Sequence, residues 1–231
     1  MKNWFGVLTV LFIVSTVRAQ APTTAPVMPP LSGKLGEPVQ LFNGKDLSGW
    51  SATALDGSKL EETWSVKDGA IHSQRDKAVN SYIRTDKEFG PNYVLIVEER
   101  HLKNGGGGIL FGITGPDKIW PKTMQVQGTN GSIGDLVNQG EFKWNVDQSR
   151  FKSSATDSRV TKIGPASEKP MGEWDVVELT VDHGNVSVKV NGQIQNVATS
   201  MPDLSGKIGF QFETGASMEF RKVELRPILP N

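Results

Sequence analysis

Short apolar runs separated by turn dipeptides are the feature that most limits what this chain can fold into. "WSVKDGAIHS" has Asp68-Gly69 between two such runs, "VSVKVNGQIQNV" has Asn191-Gly192, and "VDHGNVSV" turns at His183-Gly184. Asn, Asp and Gly tolerate a positive φ, which the tight turns of β-hairpins require. A helical 3.6-residue period is almost absent from the same region. The pattern predicts an all-β domain built from antiparallel hairpins.

Runs of β-branched and aromatic residues predict twelve strands. They are Val39–Phe42, Thr63–Lys67, Ala70–Ser73, Ser81–Arg84, Tyr93–Leu102, Gly108–Ile113, Thr123–Gln127, Asp175–Val181, Asn185–Val190, Gln193–Ala198, Gly206–Phe212 and Met218–Arg226. Any helix is expected to be a short turn, near Asp46–Leu47. This number of short strands is typical of a sandwich of two antiparallel sheets.

The first 37 residues predict an export signal and a linker. Lys2 is followed by an apolar stretch from Trp4 to Val14 and by small residues up to Ala19, where we expect cleavage. Residues 20–37 are rich in Pro and small polar residues, which favours an extended linker. We therefore expect a signal peptide at 1–19, a linker at 20–37 and one folded domain at 38–231. The protein would be periplasmic or secreted, with no membrane contact after signal removal.

Charge and cysteine content exclude several classes of function. Lys plus Arg and Asp plus Glu both number 25 and no basic run stands out, so the footprint of a nucleic-acid-binding protein is missing. A small, neutral carbohydrate suits this balance better. Without cysteine there are neither disulfides nor cysteine-based zinc sites, and the three histidines lack zinc-ligand spacing. We predict no metal ligand and no cofactor, with calcium on loop carboxylates left open.

The phrase "LFNGKDLSGW", residues 41–50, resembles the N-terminal signature of the 3-keto-disaccharide hydrolase domain family. "WSVKDGAIHS", "TMQVQGTN", "KPMGEWDVVELTVDHGNVSVKVNGQ" and "GKIGFQFETGASMEFRKVELRPI" are similar to further segments of that family, in the same order. The resemblance runs from Val39 to Ile228 and implies a concanavalin A-like jelly roll. Within the signature, we interpret Asp46 and Trp50 as structural residues that brace the first turn.

The resemblance implies a hydrolase or lyase that cleaves the glycosidic bond of 3-keto-glycosides. A C3 ketone acidifies the hydrogen on C2, so the reaction needs a base at C2, a donor for the enolate oxygen and a proton source for the leaving group. Glu98 and Arg100 match the family's Glu-x-Arg, and we assign them acid/base and oxyanion roles. Gln125 and Gln127 match its Glu-x-Gln and are assigned to sugar hydroxyls.

Five further residues are expected to contact the sugar. Trp120 and Lys122 precede the Gln125 strand, and Asn130 and Asp135 follow it. Trp144 lies in the long polar stretch from 140 to 160, where it would serve as a stacking platform. All are expected to line one cleft together with the Glu98 strand.

The chain departs from the family pattern at three points, and these keep alternatives open. The Asp that often follows the family's Glu-x-Gln appears here as Asn130 or is displaced to Asp135. Gln125 stands where the family usually has Glu, and "NGGGG" at 104–108 replaces its Asn-Ser-Gly. An amide cannot accept a proton as a carboxylate does. The alternative to a chemical role for Glu98 and Arg100 is that the two side chains form a solvated ion pair. Two other functions are consistent with the sequence: a non-catalytic carbohydrate-binding domain of the same fold, and a scaffolding sandwich.

Overall fold

Two antiparallel sheets form the protein in a computed structural model that describes residues 27–73, 80–140, 142–155, 157–213 and 215–231. The described ranges hold seventeen strands, numbered here in chain order, and a single helix, α1 (Leu60–Thr63). The predicted all-β sandwich is therefore confirmed. The predicted signal peptide, residues 1–19, lies outside the described residues.

The nine-stranded sheet, which we name the back sheet, is ordered around two long central strands. In space it runs β15 (Gln193–Ala198), β14 (Asn185–Val190), β13 (Asp175–Asp182), β7 (Tyr93–Lys103), β17 (Ser217–Leu229), β5 (Ala70–Ser73) and β4 (Trp64–Lys67). β1 (Lys34–Leu35) and β2 (Val39–Gln40) also pair with β17.

The eight-stranded sheet, which we name the front sheet, packs against the back sheet. Its order is β11 (Phe151–Ser153), β12 (Ser158–Val160), β10 (Leu136–Asn138), β9 (Lys122–Gln127), β8 (Gly107–Thr114), β16 (Lys207–Phe212), β6 (Ser81–Thr85) and β3 (Trp50–Ala54).

Aromatic side chains join the inner faces of the two sheets. Phe210 on β16 stacks on Phe220 on β17 with ring centroids 4.1 Å apart, and Trp64 on β4 meets Phe212 edge-on at 5.1 Å. All four side chains are almost completely buried. Burying one such side chain stabilises the fold by about 1.5–3 kcal/mol. Because side chains alternate along a strand, residues next to these in sequence point to the outer faces.

The "LFNGKDLSGW" signature has the structural role expected of it. The Asp46 Oδ1 accepts hydrogen bonds from Asn43 Nδ2 at 2.8 Å and from the Ser48 backbone at 3.0 Å. The Trp50 indole donates to the Leu41 carbonyl at 2.9 Å, and its ring stacks on Phe210. The phrase therefore closes one end of the core.

The three predicted hairpin turns are present. Asp68, His183 and Asn191 have φ of +50°, +48° and +51°, and the glycine after each is also at positive φ. This is the backbone of a type I′ turn, whose twist matches that of the flanking strands.

Several elements differ from expectation. The helix forms at α1 and not at Asp46–Leu47. Within the stretch 140–160, expected as a loop, β11 and β12 pair with each other, and β12 pairs with β10. Residues Lys34–Leu35 of the expected linker pair with β17. Three-residue and two-residue strands carry too few residues for an alternation pattern to be visible in the sequence.

Candidate functional site

A pocket of about 460 Å³ opens on the outer face of the front sheet. Its walls come from β9, β10, β12 and the segments flanking them. The lining side chains are Lys118, Trp120, Gln125, Gln127, Val137, Gln139, Asp157, Arg159 and Glu213. This size suits a small organic ligand, for which protein pockets usually measure about 300–1,000 Å³.

Strand β9 delivers two glutamine amides to the pocket. Met124 and Val126 belong to the core, so Gln125 and Gln127, which alternate with them, face outward. Gln125 Nε2 donates to the Gly107 carbonyl at 2.8 Å, and its Oε1 accepts from Gln139 Nε2 at 2.7 Å. The Gln127 Oε1 accepts from the Gly128 and Thr129 backbones, which leaves its Nε2 without a partner in the described ranges.

The glycine run at the start of β8 packs closely between the neighbouring strands β9 and β16. Gly108 lies between Gln127 on β9 and Gln211 on β16 in the strand register. A Cβ added to Gly108 would come within 2.2 Å of the Val126 carbonyl oxygen, and its φ is +141°. Only glycine fits there without displacing backbone. The glycines of the "NGGGG" segment are thus required by close packing against neighbouring backbone and side chains.

Glu213 contributes a carboxylate to the pocket. It follows Phe212 of β16, so it shares the outer face with Gln211. In the described part of the chain, its carboxylate accepts no hydrogen bond and forms no ion pair. Partial burial raises the pKa of Glu213, an effect opposed by the nearby Arg159 guanidinium and reinforced by Asp157.

Arg159 supplies a guanidinium with most of its donors uncommitted. In the register, Arg159 lies opposite Val137, which lies opposite Gln125, so two strand spacings of roughly 5 Å each separate the arginine from that amide. The side chain is 35% exposed, and Asp135 Oδ2, at 3.9 Å, is its ion-pair partner. A guanidinium in this position can hold a hydroxyl or a developing oxyanion.

Buried amides without partners add to the polarity of this face. Gln211 is 1% exposed, and neither end of its amide meets a hydrogen-bond partner within the described residues. The Oε1 of Gln139 is orphaned in the same way. Each such group costs about 1–3 kcal/mol unless something satisfies it. The outer face of the front sheet thus holds unused hydrogen-bonding capacity next to the pocket.

Comparison with known families decides what kind of domain carries this pocket. Residues 37–226 match the family model of the 3-keto-alpha-glucoside-1,2-lyase-like domain. The chain belongs to this family. A curated member, a 3-keto-disaccharide hydrolase from Bacteroides thetaiotaomicron, is 25% identical over 168 residues, which cover 67% of this chain. The match spans 55% of the length of that relative.

Solved structures share the fold of the 3-keto-alpha-glucoside-1,2-lyase-like domain. A candidate glycosyl hydrolase from Parabacteroides distasonis has a TM-score of 0.61 at 19% identity, covering 83% of this chain and 94% of its own. A Bacillus subtilis protein with a galectin-like fold has a TM-score of 0.54 at 14% identity, covering 87% and 99%. The carbohydrate-binding module CBM66 from Bacillus subtilis reaches 0.52 at 11% identity, covering 77% and 96%. The concanavalin A-like jelly roll is thereby confirmed.

The residues predicted for the family's sugar site separate into two groups. Gln125, Gln127 and Trp120 line the pocket, and Trp120 is 42% exposed at its edge. The other four residues lie outside the lining of the pocket. The Lys122 ammonium lies over the Phe142 ring, and Asn130 lies in the turn after β9. Asp135 accepts a hydrogen bond from the Lys162 backbone, and Trp144 is half-buried, edge-on to Phe151.

The expectation that Glu98 and Arg100 share a cleft with Gln125 is wrong. Both lie on β7 of the back sheet, with Leu95 and Val97 of the same strand facing the core. Strand alternation therefore directs Glu98 and Arg100 to the outer face of the back sheet, on the far side of the sandwich from Gln125. Strand order alone separates them, because β7 pairs with β13 and β17 and β9 pairs with β8 and β10.

Ion pairs occupy Glu98 and Arg100 on that face. Glu98 accepts from Arg221 Nε at 2.6 Å and from the Lys222 ammonium. Burial alone would raise the pKa of Glu98, but these hydrogen bonds outweigh it and lower the pKa. Arg100 donates to Glu219 at 2.6 Å and lies over the Trp174 ring at 4.5 Å. Glu98 and Arg100 therefore both form ion pairs, as the alternative interpretation expected. Each of them pairs with a residue of β17, however, and not with the other.

Sequence reasoning missed five polar lining residues, and only Glu213 among them lies beside a pattern that could have found it. Gln211 and Glu213 alternate with Phe210 and Phe212 in "GFQFE", which is the period-two signal of a strand with one polar face. Arg159 and Gln139 sit on three-residue strands or beside them, where no such pattern can develop. Lys118 and Asp157 complete the missed set.

Neither a metal-ligand cluster nor a membrane-spanning helix is found among the described residues. In the portion of the chain with described coordinates, no three or more His, Asp or Glu side chains are grouped so as to hold a metal ion. The same portion has no helix with the length and apolar character needed to cross a bilayer.

Proposed function

We propose that this protein cleaves the glycosidic bond of 3-keto-glycosides in the front-sheet pocket. Membership of the family supports the substrate class. The curated relative carries the name 3-keto-disaccharide hydrolase, which supports hydrolysis as the overall reaction. The observation on which the proposal rests is the combination, in one pocket, of the Arg159 guanidinium, the glutamine amides and a carboxylate that has no partner among the described residues.

The pocket residues suit the steps of this reaction. Removal of the C2 hydrogen turns the C3 ketone into an enolate, whose negative oxygen needs fixed donors. Arg159 and the Nε2 of Gln127, which has no partner among the described residues, are such donors on the same face. The remaining amides can hold ring hydroxyls, and Trp120 offers an apolar face at the pocket edge for the sugar or its aglycone.

Turnover of a panel of 3-keto-glycosides by the purified full chain tests the proposal. We expect consumption of at least one 3-keto-glycoside and release of its aglycone, followed by NMR. Parallel reactions with and without chelator address the open question of calcium. An absence of product from the whole panel, with the protein folded, would contradict catalysis.

Arg159→Ala is expected to reduce kcat/KM by about 100-fold, the usual loss when one oxyanion donor is removed. The melting temperature should change little because the side chain is partly exposed and its ion pair with Asp135 is long. Arg226→Ala is the matched control, since Arg226 is also partly exposed and paired, but lies on the back sheet. Equal activity of the two variants would contradict the role of Arg159 as an oxyanion donor.

Non-catalytic carbohydrate binding is the second candidate. The observation that favours it is Gln125, an amide held by Gly107 and Gln139 where the family usually has a carboxylate. This function predicts heat of binding with unoxidised glycans in calorimetry and no product from any 3-keto-glycoside.

Export to the periplasm or medium is also part of the proposal. It is supported by the Lys2, apolar-stretch and Ala19 pattern of residues 1–19. N-terminal sequencing of the mature protein from cell fractions should find Gln20 first, in a soluble non-cytoplasmic fraction. A mature chain that begins at Met1 would contradict export.

A further inference from the structure

We infer that Glu213 is the catalytic residue that takes the C2 proton from the substrate. The inference rests on the proposed function and goes beyond it, because it selects one carboxylate that neither the sequence motifs nor the comparisons single out. Glu213 lines the same pocket as Arg159, Gln125 and Gln127.

The backbone around Glu213 holds its carboxylate in place. The Glu213 amide donates to the Gly106 carbonyl at 2.9 Å, and its own carbonyl accepts from the Ala216 amide at 3.0 Å. The carboxylate lies against Gly106, where an added Cβ would be 2.2 Å from Oε2. A glycine at 106 is therefore what makes room for the carboxylate. Proton transfer benefits from such fixed placement.

The other acidic residues suggested by the sequence are committed elsewhere. Both oxygens of Glu98 are bonded to cations on the back sheet. Asp135 is buried, accepts from the Lys162 backbone and pairs with Arg159. Glu213 differs from both, because within the described ranges its carboxylate has no partner that would have to be displaced before it accepts a proton.

The electrostatic surroundings make Glu213 a stronger base than an ordinary glutamate. Burial raises the pKa of Glu213, and the nearby Arg159 limits that rise. A general base is most effective when its pKa lies close to the working pH. The same Arg159 is positioned to stabilise the enolate oxygen, so base and oxyanion donor would act on neighbouring carbons of one ring.

The proposed step balances without an added reagent. The C2–H bond breaks and the proton moves to the Glu213 carboxylate, while the electron pair forms the enolate with the C3 carbonyl. The enolate then reforms the ketone as a C1–C2 double bond forms and the C1–O bond breaks. The leaving oxygen takes up one proton, which Glu213 can return. Addition of water across C1–C2 gives the free 3-keto sugar.

Glu213→Gln in the full chain tests the assignment with three readouts. They are the exchange of the C2 hydrogen for deuterium in D2O by NMR, the cleavage rate, and the dissociation constant of a 3-keto-glucoside by calorimetry. We expect exchange and cleavage each to fall by about 100-fold or more, the usual contribution of a general base, with binding within threefold of wild type. Glu224→Gln, a partly exposed glutamate of the back sheet, is the control and should leave all three unchanged.

The outcomes separate the inference from the proposed function. If wild type is active and Glu213→Gln keeps its exchange rate within threefold, the Glu213 assignment is overturned and the proposed function stands. If wild type binds the substrate but neither exchanges nor cleaves it, both are overturned. If Glu213→Gln does not fold, Glu213→Asp replaces it. This variant keeps the charge with a shorter reach, and exchange below a tenth of wild type supports the assignment, whereas full exchange overturns it.

Discussion

At the scale of single residues, the partner of a charged side chain separates structural roles from candidate chemical ones. Glu98 and Arg100 match a family motif, yet each is already bonded to an opposite charge on β17. Glu213 lies in a segment similar to the family but is assigned no role from the sequence, and in the described chain it faces a pocket without a partner. A carboxylate must be free to accept a proton, so contacts weigh more here than motif position.

Glu99 predicts an unusual pH dependence of stability. The Glu99 side chain is 1% exposed between the sheets and has no hydrogen-bond partner in the described residues. It faces the acidic residues Asp175 and Glu168, and His101 lies two residues along the same face of the strand. Burial, reinforced by the two acids, raises its pKa to about 8 from an ordinary value of 4.5. Between these values the folded state holds a proton that the unfolded state has released, so the free energy of unfolding should fall as pH rises and then level off above pH 8.

Glu99→Gln should remove that slope, because the amide cannot ionise. We expect a gain of roughly 2–4 kcal/mol in the free energy of unfolding at pH 8 and little change at pH 5. Urea unfolding at pH 5, 6.5 and 8 measures it, with Glu178→Gln at a partly exposed ion pair as control. A wild type whose stability does not fall over this range would contradict the assignment of a neutral Glu99.

At the scale of elements, hairpins were predictable and short strands were not. Asp68-Gly69 and Asn191-Gly192 carry their turn type in two adjacent residues, so β4–β5 and β14–β15 could be placed from sequence. By contrast, β10, β11 and β12 have three residues each and owe their existence to pairing with neighbours. Those short strands carry Arg159 and position Gln139, which is why this wall of the pocket was missed.

Asn191 should matter more to stability than its turn type alone requires. Its Nδ2 donates to Ser167 and Asp175, and its Oδ1 accepts from the Val176 backbone. Asn191→Ala should therefore lower the free energy of unfolding by about 3 kcal/mol, since three hydrogen bonds are lost and each costs about 1 kcal/mol. Asp68→Ala is the matched variant, with the same backbone conformation but no side-chain hydrogen bond within the described ranges, and should cost about half as much. Equal losses in the two variants, measured by urea unfolding, would show that turn conformation alone is responsible.

At the scale of the whole molecule, the two outer faces of the sandwich differ in chemical character. The back sheet carries opposite charges that neutralise one another around Trp174. The front sheet carries glutamine amides, Arg159 and Glu213 around a cavity. Unpaired polar groups on a concave face are suited to a hydroxyl-rich ligand, and paired charges on the opposite face are suited to stabilising the sheet.

Arg100→Ala should lower stability without changing turnover per folded molecule. Glu219, 2% exposed, would lose its arginine and, among the described residues, keep His72 as its side-chain hydrogen-bond partner. We expect a loss of about 2 kcal/mol in the free energy of unfolding, because a buried charge loses a partner. Together with Arg159→Ala, which should lose activity and keep stability, this forms a reciprocal pair. Loss of turnover in Arg100→Ala at temperatures where the variant is fully folded would indicate that the reaction takes place on the back sheet.

The sequence by itself determined the all-β class, the hairpins, the family and the outward direction of Gln125 and Gln127. These depend on local signals: turn dipeptides, alternation along one strand, and ordered motifs. Only the tertiary structure decided which strands share a sheet, and hence that Glu98 and Gln125 lie on opposite sides of the sandwich. Sheet partners such as β7 with β17 are separated by more than a hundred residues, and their pairing depends on long-range burial that no local pattern encodes.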